Sequence, residues 1–334
     1  MSERAVQGHT VCVISAASDR RRFLESIAGR IARAGRAVRS RPGITFLGAC
    51  ALLVLSGAAA LAQFGFGGRL PEGAGVPIRS PKPGFEDGRL AHCKIEYTSV
   101  RRELMGVGWG TDYPYAGIHL LTRLGEMTKT PISRMNDGTP NYWVIKLTDP
   151  ELFQCPFIAA SDVGTIGLST DEATHLREYL LKGGFFWVDD FWGDDAWDHW
   201  SSEMAEVLPP SEYPIVDLPI EHPVFHSMFE ITQFGERLTG GSDGRRGAPT
   251  SVPQVTNINN WRRTGDTAER GDESPHASFR AILDKQGRIM VAMTFNTDMG
   301  DSWEREGEDP DFFQRFSPPG YALGVDVMLY ALTH

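Results

Sequence analysis

The sequence predicts an α/β domain of three layers, with helices on both faces of a mainly parallel sheet, preceded by one apolar N-terminal helix. Two local patterns and one global pattern lead there. Phe185-Phe186-Trp187-Val188 is apolar at every position, which a strand covered on both faces requires and a half-exposed strand does not. It follows directly on a helical segment that opens with the S-x-x-E capping box of Ser169-Thr170-Asp171-Glu172 and stops at Gly183-Gly184. Across residues 92–334, strand-like and helix-like apolar segments alternate, the order produced by a parallel sheet with crossover helices.

The 334 residues are 41% hydrophobic and 23% charged, with a formal net charge of −10. That charge is unevenly spread: residues 1–62 carry +6 and residues 63–334 carry −16. An acidic domain lacks the Lys and Arg whose counterion release drives binding to a phosphate backbone, so nucleic acid is excluded as a partner. Residues 44–66 run for 23 positions without a charge, behind Arg39 and Arg41. Such a stretch either spans a bilayer as an anchor or is the apolar part of an export signal, cleaved after Ala62 at the small-x-small site Ala60-Leu61-Ala62. Both readings keep the basic flank in the cytoplasm and put the remainder on the extracytoplasmic side. The domain is then anchored to the inner membrane if uncleaved, or periplasmic or secreted if cleaved. Residues 1–43 are a basic cytoplasmic segment; if translation begins near Val38 instead, residues 1–37 lie upstream of the true start and VRSRPG is an ordinary signal n-region. Residues 67–91, rich in Gly and Pro, read as a linker. The four Cys, at 12, 50, 93 and 155, form no CxxC pair; spacing alone leaves open whether Cys93 and Cys155 join.

The domain proper spans residues 92–334. It opens with strand segments at 93–99, 142–147 and 156–161 and a helix over 115–129. After the strand at 185–188 come a helix over 195–208, a strand at 213–218 and a short helix over 222–229, set off by Pro223. Residues 235–278 are Gly-rich and polar and read as a long, partly mobile insertion. A strand at 289–296 returns to the sheet, and a helix over 321–333 ends the chain.

Several strings occur in one order: GWGTDYPYAGIHLLTRLGEMTKTPI, LTDPELFQCPF, LREYLLKGGFFWVDDFWG, PIEHPVFH and MTFNTDMGDSWE. Together they resemble the bacterial domain of unknown function numbered 4159, over roughly residues 92–334. The resemblance implies a flavodoxin-like, doubly wound sheet similar to class I glutamine amidotransferases and trehalose-utilisation-type proteins. Those glutaminases place a nucleophilic Cys in a tight strand-to-helix turn. Here the corresponding turn, Asp189-Asp190-Phe191-Trp192-Gly193, holds neither Cys nor Ser, and Cys155 precedes its strand and is followed by Pro156. Cysteine-dependent glutamine hydrolysis is therefore not expected.

Ligands of open parallel sheets bind outside the carboxyl ends of the strands, where two acidic turns qualify: Asp189-Asp190, and residues 296–304 (NTDMGDSWE). Neighbouring strand residues point to opposite sides, so Asp190 is assigned to the crevice and Asp189 to fixing the turn. Asp190, Asp298 and Asp301 are the candidates for catalytic carboxylates. They are also the candidates to hold a hard cation, Ca²⁺ or Mg²⁺, because converging carboxylates need a shared proton or a cation between them. The structural alternative is that they cap helices and accept amides in the turns. Candidates to bind a ligand are Trp109, Asp112, Asp189, Trp192, Trp303 and Glu304, since Trp faces beside carboxylates suit sugar rings. Trp192 is expected at the surface, Trp187 in the core, and Trp197 and Trp200 on a buried helical stripe. His222 and His226 read as hydrogen-bonded structural histidines rather than zinc ligands. The GGSDGRRGAPT stretch lacks the G-K-[ST] of a phosphate loop.

Two functions compete. One is a membrane-tethered or exported binding or scaffold module for a saccharide, an envelope component or a protein partner. The other is a hydrolase using carboxylates as acid and base, with or without a divalent cation.

Overall fold

The computed structural model describes residues 78–81, 87–239 and 250–334. The expected apolar helix at 44–66, the basic segment before it and most of the linker lie outside the described residues. Among the described residues no helix is long and apolar enough to cross a membrane.

The strands, in chain order, are β1 (His92–Glu96), β2 (Thr98–Ser99), β3 (Tyr142–Lys146), β4 (Phe157–Ser161), β5 (Ile166–Gly167), β6 (Phe185–Asp189), β7 (Ile215–Asp217), β8 (Gln233–Glu236), β9 (Ser251–Pro253), β10 (Ser278–Leu283) and β11 (Ile289–Phe295). The helices are α1 (Tyr115–Met127), α2 (Thr170–Leu181), α3 (Gly193–Val207), α4 (Ile258–Thr264), α5 (Met299–Glu304) and α6 (Pro310–Thr333). Seven strands form one sheet in the order β3-β1-β4-β6-β11-β10-β7. The first five of these run parallel, and β10 is antiparallel to both its neighbours. From β1 the chain moves outward to β3 and then crosses back to β4 on the other side, so the strand order reverses between β1 and β4. That point is where such sheets open a crevice.

The strand period of two divides the interior into two cores. Ile158, Phe186, Val188 and Met293 face α2 and α3, packing with Leu176, Leu180, Trp200 and Met204. Phe157, Phe185, Trp187 and Ala292 face the other way, packing with Leu120 and Leu124 of α1 and Phe312, Phe316 and Leu323 of α6. This is the double coverage that the apolar run at 185–188 requires. The capping box of α2 forms as expected: Ser169 Oγ accepts from the Glu172 amide at 3.3 Å, and Glu172 Oε2 from the Ser169 amide at 2.8 Å. Cys93 and Cys155 are joined, with Cα atoms 6.3 Å apart, tying β1 to the residue pair before β4.

Three elements differ from the sequence expectation. Residues 250–278 are not a loose insertion: β9 and α4 bury Val252, Val255, Ile258 and Trp261 against the α6 side, an apolar spacing of three hidden by the surrounding polar residues. Helix α6 starts at Pro310, well before 321, because Asp309 caps it by accepting the amides of Asp311 and Phe312, while Pro318 and Pro319 inside it masked the pattern. At 222–229 the helix is a single 3-10 turn, Pro223–Phe225. There His222 Nδ1 accepts the Val224 amide at 3.2 Å, and His226 Nε2 pairs with the Ile220 carbonyl at 2.8 Å. These are structural histidines.

Candidate active site at the carboxyl edge of the sheet

Three neighbouring strands end alike. Asp162 after β4, Asp190 after β6 and Asn296 after β11 have left-handed backbones, with φ of 54°, 56° and 58°. Short polar side chains that bond locally make Asp and Asn the residues that adopt this conformation most readily after Gly. The bends are locked to one another. Asp162 N–H donates to the Asp189 carbonyl and Asp190 N–H to the Thr297 carbonyl, each at 3.1 Å, and Gly193 N–H donates to Asn296 Oδ1 at 2.8 Å.

On the sheet face beneath α1, inward positions turn from apolar to polar at this edge. Phe157 and Ala159 lead to Ser161, Phe185 and Trp187 lead to Asp189, and Ala292 leads to Thr294. Ser161 and Asp189 are register partners. Lys94 of β1, only 6% exposed, joins this row. Its Nζ donates to Ser161 Oγ at 3.0 Å and to the Thr111 carbonyl. Ser161 Oγ in turn donates to Asp112 Oδ2 at 2.8 Å. Trp187 Nε1 donates to Thr294 Oγ1 at 2.9 Å, and Thr294 Oγ1 donates to Asp189 Oδ1 at 2.6 Å.

Asp112, in the left-handed turn before α1, is the hub of the acids. One oxygen each of Asp112, Asp189 and Asp298 lie within 4.8 Å of one another, and so do oxygens of Asp112, Asp301 and Glu304. The approach of α5 to Asp112 depends on Gly300, where a Cβ would sit 2.2 Å from Asp112 Oδ2. The same Gly300 donates its amide to Asp189 Oδ2 at 2.9 Å. Asp298 and Asp301 also do structural work: Asp298 Oδ1 caps α5 through the Asp301 amide, and Asp301 Oδ2 accepts the Ile258 amide, each at 2.8 Å. These bonds explain where the carboxylates sit, not why so many share one place.

The expected division of labour at the end of β6 is reversed. Asp189 lines the cavity at this edge. Asp190, buried as well, is turned by its left-handed backbone so that Oδ1 accepts from Trp192 Nε1 at 2.8 Å. Trp192 is consequently 4% exposed rather than at the surface. Trp109 is fully buried edge-on against Tyr113. Trp303 does line the cavity, but it packs edge-on against Trp187 with centroids 5.4 Å apart. None of the three candidate Trp is exposed at the surface, where a sugar ring could stack on it. The cavity itself, bounded by Lys94, Asp112, Ser161, Asp189, Trp187 and Trp303, measures about 40 Å³, room for a few water-sized groups and not for a pyranose.

Burial dominates the electrostatics. It lifts Asp189 to about 7, with the Asp112 charge adding to it. Glu304 rises to about 7 through burial and then Asp112, and Asp162 to about 7 through burial, Glu103 and Asp112. Asp190, Asp298 and Asp301 are raised well above the ordinary carboxylate range, first by burial and next by Asp112 for Asp190 and Asp301 and by Asp301 for Asp298. Lys94 is lowered by burial, an effect opposed by Asp112, Glu304, Asp190 and Asp189. Arg305 is a second cation here, 2.9 Å from Glu304 Oε2 and 3.4 Å from Asp301 Oδ1. Such a surplus of buried negative charge must be relieved by protons or by a cation.

The structure thus assembles Asp189 and Asp298 in one group with Asp112 and Asp301 and Glu304 in a second group with it, and leaves Trp109 and Trp192 out of both. Sequence reasoning passed over Lys94 and Ser161, whose signal was a polar residue at an inward position of an otherwise apolar strand. It also passed over Glu269, buried among these charges with Oε1 accepting the Asn257 amide at 2.7 Å, because Glu269 sits in the segment read as an insertion. No curated protein matches the chain. A family model, described as a domain of unknown function (DUF4159), matches residues 93–332. Spanning nearly all of the sheet, both helical layers and every carboxylate of the edge cluster, that match establishes that the chain belongs to the DUF4159 family.

Proposed function

We propose that the domain is a hydrolase whose edge carboxylates serve as general acid and base. The observation that carries this reading is the gathering of four carboxylates around Asp112, which with Asp189 lines a small cavity, while Asp189 and Glu304 are held at about 7. Acid–base catalysis works best when the group titrates near the working pH, and pairs of titrating groups in one pocket mark such sites. The saccharide version of the binding-module reading, which also allows an envelope component or a protein partner, is weakened by the burial of Trp192 and Trp109. A second reading, a Ca²⁺ or Mg²⁺ site among the same carboxylates, is favoured by oxygen atoms within 4.8 Å of one another, a spacing that ligands around one hard cation can have. The domain acts outside the cytoplasm in this proposal. The uncharged stretch at 44–66 and the Cys93–Cys155 bridge support that location, since structural disulfides persist in oxidising compartments.

The test is a panel of chromogenic esters, amides and glycosides, with kcat/KM followed against pH. We expect turnover of at least one class, with a limb near neutrality, and a loss of about a hundredfold or more in Asp189→Asn. No turnover of any member would overturn the hydrolase. A rise in melting temperature with Ca²⁺ or Mg²⁺ that disappears in Asp298→Asn would favour the cation reading instead, because a ligand bound only by the folded state stabilises it.

A further inference from the structure

We infer that Ser161 is a nucleophile, with Asp112 as its base and Lys94 as the positioning residue, and that the site takes short-chain acyl esters; this rests on the hydrolase reading and adds a covalent step to it. Four observations converge. Lys94 and Ser161 come from β1 and β4, the two strands between which the sheet order reverses, so their contact spans the place where a doubly wound sheet opens to ligands. Ser161 is the last residue of β4, followed at once by the left-handed Asp162. That bend presents a strand-end side chain to the crevice. The Ser161 and Asp162 carbonyls are both clamped by the Tyr97 hydroxyl at 2.7 Å, so the backbone under the hydroxyl is held. The hydroxyl itself sits between Lys94 Nζ at 3.0 Å and Asp112 Oδ2 at 2.8 Å, within the reach that a nucleophile and its base require.

Lys94, Ser161 and Asp112 all line the cavity of about 40 Å³, together with the apolar Leu120, Phe157 and Trp187. A water-sized group needs roughly 10–15 Å³ measured this way, so the volume matches an acetyl or propionyl group better than a long acyl chain. In the reaction, Ser161 Oγ bonds to the ester carbonyl carbon while its proton passes to Asp112 Oδ2 along the existing hydrogen bond. The ester C–O bond breaks, and the alcohol oxygen leaves with the bonding pair and takes the proton from Asp112. Water then attacks the acyl-serine and gives a proton to Asp112. Ser161 Oγ departs and recovers that proton, and the acid is released. Lys94, tied also to the Thr111 carbonyl, keeps the hydroxyl aimed at the cavity.

The experiment is p-nitrophenyl acetate with the full chain, read as a nitrophenolate burst and as acetyl mass mapped by peptide. We expect a stoichiometric burst and a single acetyl on Ser161. Both vanish in Ser161→Ala, and the burst slows by about a hundredfold or more in Asp112→Asn. Ser161→Cys, close in volume, should fold and carry the acetyl on its thiol, which separates loss of the nucleophile from loss of structure. p-Nitrophenyl octanoate should give no burst. Steady turnover that survives in Ser161→Ala would overturn the covalent step while leaving the carboxylate hydrolase standing. Acetyl found on Lys94 or on surface lysines with none on Ser161, or no burst from the wild-type chain, would overturn the inference as well.

Discussion

A methyl group at Gly300 would lie 2.2 Å from Asp112 Oδ2, so Gly300→Ala must displace either the hub carboxylate or the first turn of α5. We expect a loss of about 1–3 kcal/mol, the usual cost of overpacking a tight site, measurable as a shift in urea midpoint at unchanged slope. Trp192→Phe probes the other side of the cluster. It removes the indole donor from Asp190 Oδ1 and leaves a buried acceptor short of a partner, at about 1–3 kcal/mol. At this scale the acids were legible, since Asp at a strand end is unusual enough to notice. Which way each points was not: whether a strand-end carboxylate meets solvent, an amide or another acid depends on the backbone bend, and the left-handed turns at Asp162, Asp190 and Asn296 are locked by bonds between neighbouring strand ends. Lys94 and Ser161 were silent for a related reason. A single polar residue in an apolar strand looks like an exposed position until α1 is known to cover it.

The elements that speak through their own chemistry were the readable ones. The reciprocal bonds of Ser169 and Glu172 close α2 at its start, and Ser169→Ala should cost about 1 kcal/mol, visible as a lower melting temperature with the sheet signal intact. Elements held by partners were harder to read. Strand β10 borrows its pairing from β11 on one side and β7 on the other, and β9 and α4 are ordered by the apolar surface of α6 rather than by propensity. Their sequence is polar enough to suggest a loop, and tertiary packing overrides that weak local preference. The two prolines inside α6 argue for a break, yet the helix continues from Pro310 to Thr333 because its buried face contributes Phe312, Phe316, Leu323, Val325, Val327 and Met328 to one core.

For the molecule as a whole, two measurements follow from cross-linking and charge. Reduction of Cys93–Cys155, or Cys93→Ala, opens a loop of sequence separation 62 and should lower stability by about 4 kcal/mol, seen by comparing melts with and without reductant. The pH dependence has a definite sign. Asp189 and Glu304 titrate at about 7 in the folded chain against about 4 in the unfolded one. Between those values the folded state holds protons that the unfolded state has released. Their contribution is therefore fully present below about pH 4 and is lost as pH rises toward about 7. Melting temperature should fall across that window and fall less steeply in Asp189→Asn; a profile that rises instead would show that the carboxylates are ionised and already neutralised by a partner.

Layering, the doubly covered central strand, the absence of a cysteine elbow and the acidity of the strand ends all follow from residue order alone, because alternation, capping and composition act over a few neighbours in the chain. The choice of Asp112 as hub, the link from Lys94 to Ser161 across the reversal in strand order, and the sealing of Trp192 against Asp190 arise from contacts between segments far apart in sequence. Distances of a few ångströms among buried charges set what those groups can do, and only the packed sheet brings them that close.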